Sequence, residues 1–125
     1  MIENPDASIN CNPDTVLSSP HVGEVNLIVN AAGGWTGGDA SDPEFLGKCE
    51  RMWQMNVKSS ILAAQLAAHH LKPHGLLVFV GAKAVALHPT PDMLAYAMAK
   101  SAVASLANNL AAQADSKHSV TLLLP

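Results

Sequence analysis

Tyr96 and Lys100 lie four residues apart in an apolar, alanine-rich stretch, MLAYAMAKSAVAS (93–105). On a helix that separation puts both side chains on one face, roughly 5–6 Å apart at the β-carbons. An ammonium beside a phenol favours the phenolate, lowers the tyrosine pKa and makes a proton donor usable near neutrality. The alternative reading is a core tyrosine with a lysine that snorkels to the surface. Asn56 falls on the apolar face of the preceding helical pattern, one turn from Met52 and Ser60, where an amide needs a partner or a water. Trp35 sits between Gly33-Gly34 and Gly37-Gly38. An indole face there suits a flat aromatic ligand, and the glycines let the backbone come close to one. The alternative for Trp35 is a lid on the core.

The elements that must position these residues follow from periodicity. VNLIV (25–29) is a short β-branched run ending in a glycine-rich loop, and its length and branching predict a buried strand. Ser41-Asp42-Pro43-Glu44 has capping-box spacing, so a helix is expected to start there. Its apolar positions run Phe45, Leu46, Cys49, Met52, Trp53, Val57, Ile61, Ala64 and Ala68, and Pro73 should stop it near Lys72. LLVFV (76–80) predicts a second buried strand. Thr90-Pro91-Asp92 opens a helix running to about Asp115, and VTLLLP (120–125) reads as a third strand. Residues 1–24 show no core face beyond a possible short strand at 8–11. Strand, long helix, strand, long helix, strand implies parallel pairing and an α/β layered fold. In such sheets ligands collect at the carboxyl ends of strands, where NAAGGW and GAKAVAL both lie.

Composition narrows the classes. The chain has 125 residues, 49% hydrophobic and 14% charged, enough for one modest domain with a core. Seven basic against ten acidic residues leave no cationic footprint for nucleic acid or anionic lipid. No apolar run approaches the roughly 20 residues that span a bilayer. Cys11 and Cys49 lack CxxC spacing and read as free thiols, and the polar, acidic MIENPDASIN is unlike a targeting peptide; the expected location is cytoplasmic. The glycine run 33–38 does not enter a helix directly, so it forms no GxGxxG phosphate cradle. His69, His70 and His74 are separated by Lys72-Pro73 and have no adjacent acidic or thiol partner, so no metal is expected.

NAAG (30–33) after a strand, Asn56 in mid-helix and YAMAK (96–100) resemble the short-chain dehydrogenase/reductase family in type, order and spacing. The resemblance implies a Rossmann-like parallel sheet with crossover helices. It implies that Asn30, Ala31, Ala32 and Gly33 support the sheet beside the cofactor and that Asn56 holds a water in a proton relay. It further implies that Tyr96 is the general acid and that Lys100 grips the nicotinamide ribose. Within the family, AAGGWTGG (31–38), MWQ (52–54), HLKPHGLL (70–77), GAKAV (81–85) and TPDMLAYAMAKSAV (90–103) are similar to the dihydropteridine reductases. These use NADH, with NADPH possible, to return quinonoid dihydrobiopterin to tetrahydrobiopterin. Trp35 then lines the pterin pocket. Asn56 matches the wider family better than this branch.

Most family members carry a serine about thirteen residues before the tyrosine, which hydrogen-bonds a substrate carbonyl. Here Ala82, Lys83 and Ala84 occupy that region, which argues against a ketone. The family's opening strand–turn–helix for the dinucleotide has no counterpart, so the chain reads as truncated at both ends. Strand 25–29 is then expected to show an unpaired edge, and residues 1–24 to be poorly ordered. A homodimer is expected through helices 42–71 and 92–115, with Ala63, Ala64, Ala67, Ala104, Ala107 and Ala111 allowing close approach. Two other readings stay open: a non-catalytic subunit pairing with a full-length reductase, and a short-chain reductase of another substrate.

Overall fold

The computed structural model describes residues 23–113 and 117–125. The strand expected at 8–11, and nearly all of the segment expected to be poorly ordered, lie outside the described residues. Three strands form one parallel sheet in the order β1-β2-β3: β1 (Val25–Asn30), β2 (Leu71–Val80) and β3 (Ser119–Leu123). Between β1 and β2 run α1 (Phe45–Met52), a π-helical stretch (Trp53–Lys58) and α2 (Ser59–His70). Between β2 and β3 come a short α3 (Lys83–Leu87) and α4 (Leu94–Ala111). This is the α/β, Rossmann-like arrangement of a parallel sheet with crossover helices.

The two faces of the sheet differ. Register pairs Ile28 with Leu77 and Leu77 with Val120, then Asn30 with Phe79 and Phe79 with Leu122. These residues turn toward the helices, where Phe79, Met52, Val103, Ala95, Ala99 and Ala107 form the core. Burying a side chain the size of Phe79 stabilises the fold by about 1.5–3 kcal/mol. On the other face Leu27 and Val29 are 54% and 52% exposed. The expectation that β1 is a buried strand is therefore corrected, since one of its faces is open. Its place at the edge of the sheet among the described residues agrees with the unpaired edge expected for it.

The first helix also departs from expectation. It begins at Phe45, with no side-chain cap on its first turn. Asp42 Oδ1 accepts the Glu44 amide and Asp39 Oδ1 accepts the Ser41 amide, so the acidic residues close the preceding turns. The apolar stripe read from sequence is buried in part: Phe45, Cys49, Met52, Val57 and Ala64 pack into or against the core, while Leu46, Trp53, Ile61 and Ala68 are exposed. Asn56, Ser60, Ala63 and Ala67 share the inward side with Met52 and Val57. Apolar residues occupy both sides of this helix, and the buried side carries an amide and a hydroxyl. Hydropathy alone therefore draws the stripe too wide.

The widened turn has a local cause. Asn56 Nδ2 donates to the Met52 carbonyl at 3.1 Å, the acceptor an ordinary α-helix would give to the Asn56 amide. Ser59 Oγ donates to Met55 O at 2.9 Å and Ser60 Oγ to Asn56 O at 2.7 Å. Side chains that compete for the carbonyl ladder are a recognised source of such bulges.

Strand β2 starts earlier than 76, at Leu71, with a register shift between its Val25 and Leu27 pairings. Lys72, Pro73, His74 and Gly75 bulge out, with His74 at φ 66°. His74 N–H donates to Lys117 O at 2.7 Å, which anchors the bulge to the approach to β3.

Candidate active site

Three segments converge at the carboxyl ends of β1 and β2. Lys100 comes from α4, is 8% exposed, and donates from Nζ to the carbonyl oxygen of Val80, the last residue of β2, at 2.8 Å. Its Nζ also stands 5.7 Å from the centroid of the Tyr96 ring, within cation–π range. Gly33 closes the group. A β-carbon at Gly33 would lie 2.7 Å from Asn56 Oδ1 and 3.6 Å from Lys100 Nζ, so only glycine fits there. The structure thus brings Tyr96, Lys100, Asn56 and Gly33 together.

Asn56 is 1% exposed and fully engaged within the protein. Besides Met52 O, its Nδ2 donates to Gly34 O at 3.0 Å, and its Oδ1 accepts the Gly34 amide at 3.4 Å. Asn30 is turned inward as well. Its Nδ2 donates to Ser60 Oγ at 2.9 Å and to Ser59 Oγ at 3.4 Å, while its Oδ1 accepts the Ala32 amide at 3.3 Å. Asn30 and Asn56 therefore lash the loop 30–34 to the widened helical turn, while Ala31, Ala32 and Gly33 stay exposed on its outer side.

The electrostatics differ from the sequence expectation in one respect. Burial pushes the Tyr96 phenol above its ordinary value and the Lys100 ammonium below its own. The expected depression of the tyrosine by its lysine is absent, because Nζ is directed at the Val80 carbonyl and desolvation dominates at the phenol.

Trp35 stands apart, on the rim. Its indole is 63% exposed, and its six-membered ring lies against Gly37, where a β-carbon would approach Cη2 to 3.3 Å. The loop is tied to the start of α4: the Gly38 amide donates to Asp92 O at 2.7 Å, and the Leu94 amide to Gly38 O at 3.2 Å. Trp35 is thus held on a loop that is hydrogen-bonded to the start of the helix carrying Tyr96. No hydroxyl is present at 82–84, where α3 begins; Lys83 N–H instead donates to Pro125 O at 3.0 Å.

Ser59, Lys48 and the Val80 carbonyl were not singled out from sequence, Asp42 was read only within a helix-capping turn, and Ser60 was given no role. Ser60 was detectable as a hydroxyl one turn from Asn56, whereas a backbone acceptor leaves no mark in a sequence. Three alanines assigned to a subunit interface, Ala63, Ala67 and Ala107, are corrected: they are 6%, 5% and 3% exposed and pack inside this chain. Among the described residues no group of three or more His, Cys, Asp or Glu is placed to hold a metal ion. No helix among them is long and apolar enough to cross a membrane.

Comparison with known proteins places this geometry in context. A family model described as short chain dehydrogenase matches residues 16–123. The chain is 41% identical over 90 residues to a dihydropteridine reductase of Dictyostelium discoideum, covering 72% of this chain and 38% of that protein. It is 33% identical over 95 residues to the short-chain dehydrogenase/reductase SDRA of Arabidopsis thaliana, covering 73% and 35%. The chain thus spans little more than a third of the length of these relatives. Among solved structures, a short-chain dehydrogenase/reductase from Serratia marcescens superposes with a TM-score of 0.73 at 29% identity, over 82% of this chain and 47% of that one. A short chain dehydrogenase family protein from Francisella tularensis gives 0.78 at 24% identity, over 90% and 46%, a likeness of fold.

Proposed function

The chain belongs to the short-chain dehydrogenase family, and from that premise we propose that it serves the NADH-dependent reduction of a quinonoid dihydropteridine to its tetrahydro form. The observation that carries the substrate class is Trp35, an exposed indole on a tethered glycine loop, in a site whose 82–84 segment offers no hydroxyl. A ketone reduction develops charge on oxygen and gains from a fixed donor there. A quinonoid pterin takes its proton at nitrogen and presents a flat ring to stack. The 41% identity over 90 residues to a dihydropteridine reductase supports the same reading.

The residues present fit a nicotinamide dinucleotide at its ribose end. An ammonium has three N–H groups, and Val80 takes one of those on Lys100, leaving donors for ribose hydroxyls. The missing β-carbon of Gly33 keeps the space beside Asn56 and Lys100 clear. The cofactor, when bound, supplies the hydride. Tyr96 delivers the proton: its raised pKa keeps the phenol protonated at neutral pH, and the bound substrate withdraws the proton as charge develops. Asn56 keeps loop 30–34 in place, and Trp35 orients the pterin by stacking.

A second copy of the chain is the proposed partner, through the outer faces of α1–α2 and α4. Leu46, Trp53 and Ile61 share one side of the long helix at 73%, 50% and 42% exposure, and Met98 on α4 is 52% exposed.

The test is a substrate comparison at fixed NADH, quinonoid dihydropterin against a simple cyclic ketone. The pterin should be turned over well above the ketone, and Trp35→Ala should raise its KM. Turnover of the ketone at an equal or higher rate would contradict the assignment.

A further inference from the structure

Loop 33–38 raises a physical problem that the reading above leaves open. Four of its six residues are glycines, the residue type that loses most conformational freedom on ordering. Yet this loop carries an indole that is 63% exposed and has little packing to fix it. Something else must hold it.

One tie, from Gly38 to Asp92 and Leu94, is made by backbone. The other is made by side chains. Lys48, in the first turn of α1, donates from Nζ to the carbonyl oxygen of Gly37 at 3.1 Å and to Asp42 Oδ2 at 2.5 Å. Both side chains are mostly covered, at 20% and 21% exposure. Asp42 is fixed in turn, its other oxygen accepting the Glu44 amide at 2.8 Å. The clasp leaves no room for a side chain at Gly38, where φ is 117° and a β-carbon would lie 2.7 Å from Asp42 Oδ2 and 3.0 Å from Lys48 Nζ. Gly37 is the shared residue. Its carbonyl accepts the lysine's hydrogen bond, and it lies beside the Trp35 ring, which a β-carbon there would approach to 3.3 Å.

We propose that Lys48 is a positioning residue for Trp35: the Asp42–Lys48 pair grips the Gly37 carbonyl and thereby sets the plane on which the indole meets a flat heteroaromatic ring. Lys48 itself touches neither substrate nor cofactor. That the ring is a pterin rests on the function proposed above; that Lys48 fixes the indole does not. The two are separable by experiment.

The full chain carrying Trp53→Phe has Trp35 as its one tryptophan, so its fluorescence anisotropy reports that side chain alone. In this background Lys48→Met keeps the length of the side chain and removes its charge, Asp42→Asn removes the other half of the pair, and Lys48→Arg keeps a cation. Circular dichroism establishes that each variant is folded. The expected result is lower Trp35 anisotropy in Lys48→Met and Asp42→Asn, with Lys48→Arg close to the parent. Quenching by quinonoid dihydropterin should weaken by roughly fivefold in the first two, the scale of losing an accessible ion pair. NADH affinity should move by less than about twofold, because the clasp is remote from the Lys100 anchor. Unchanged Trp35 anisotropy in folded Lys48→Met and Asp42→Asn would overturn the proposal. So would an equal loss in Lys48→Arg, which would make the site a matter of packing and not of charge. If anisotropy falls in both variants while dihydropterin leaves even the parent unquenched, the clasp is supported and the pterin assignment fails.

Discussion

Lys100 is anchored to Val80: its ammonium donates to the last carbonyl of the central strand at 2.8 Å, which fixes α4 against the end of β2. The contact places the lysine under Gly33 and beside Tyr96, and it holds a buried charge in a fixed direction. Replacing Lys100 by Met removes the donors proposed for the ribose and leaves the Val80 carbonyl without this partner. The expected outcome is NADH affinity reduced by about tenfold or more, the scale of losing a charge-assisted hydrogen bond. Equilibrium titration of NADH fluorescence measures it; an affinity equal to the parent's would remove Lys100 from the cofactor site.

Tyr96 is the chain's one tyrosine, so the ultraviolet signature of phenolate reports it alone. Burial raises its pKa in the free chain, and the phenol should titrate above the ordinary value of about 10. The sign for stability follows from linkage. Between the unfolded and folded pKa values the folded chain keeps a proton that the unfolded chain releases. The tyrosine's contribution is therefore fully present below about pH 10 and is lost as pH rises through the folded value. A phenol titrating below 10 in the free chain would show that Lys100 governs it, not burial.

Asn56 distinguishes a structural amide from a dispensable one. Its Nδ2 faces two carbonyl oxygens, those of Gly34 and Met52, so Asn56→Asp sets a carboxylate against two acceptors with little change of shape. Asn56→Ala should cost about 1–3 kcal/mol for the polar groups left unpaired. Asn56→Asp should cost more than Asn56→Ala, since an unpaired buried charge is dearer than a missing side chain. Urea unfolding of the two variants decides the order. An aspartate variant as stable as the parent would mean that the amide geometry is not maintained.

Much of this architecture was legible because the chain is locally consistent. Short β-branched runs alternate with long helical patterns, and Tyr96, Lys100 and Asn56 sit at spacings that only a helix makes meaningful. The misreadings have physical causes. Along residues 45–70 both sides of the helix are apolar, so the buried side is decided by whether Asn56 and Ser60 find partners, and two of those partners (Gly34 and Asn30) come from elsewhere in the chain. The exposure of Leu27 and Val29 likewise depends on what covers a sheet face, which the composition of β1 does not encode. The Lys48–Gly37 contact was invisible for a simpler reason: its acceptor is a backbone carbonyl.

Tyr96 as the proton donor to a pterin is the central assignment in the proposed function. The most direct measurement is the rate of NADH oxidation with quinonoid dihydropterin, for the parent and Tyr96→Phe, alongside the NADH dissociation constant of each. The expected result is a kcat at least about 100-fold lower in Tyr96→Phe, the usual worth of a general acid. NADH affinity should stay within about threefold, because the phenyl ring remains beside Lys100. An undiminished kcat in Tyr96→Phe would contradict the proton-donor role, and a loss of NADH affinity as large as the loss of kcat would make Tyr96 a cofactor-binding residue instead.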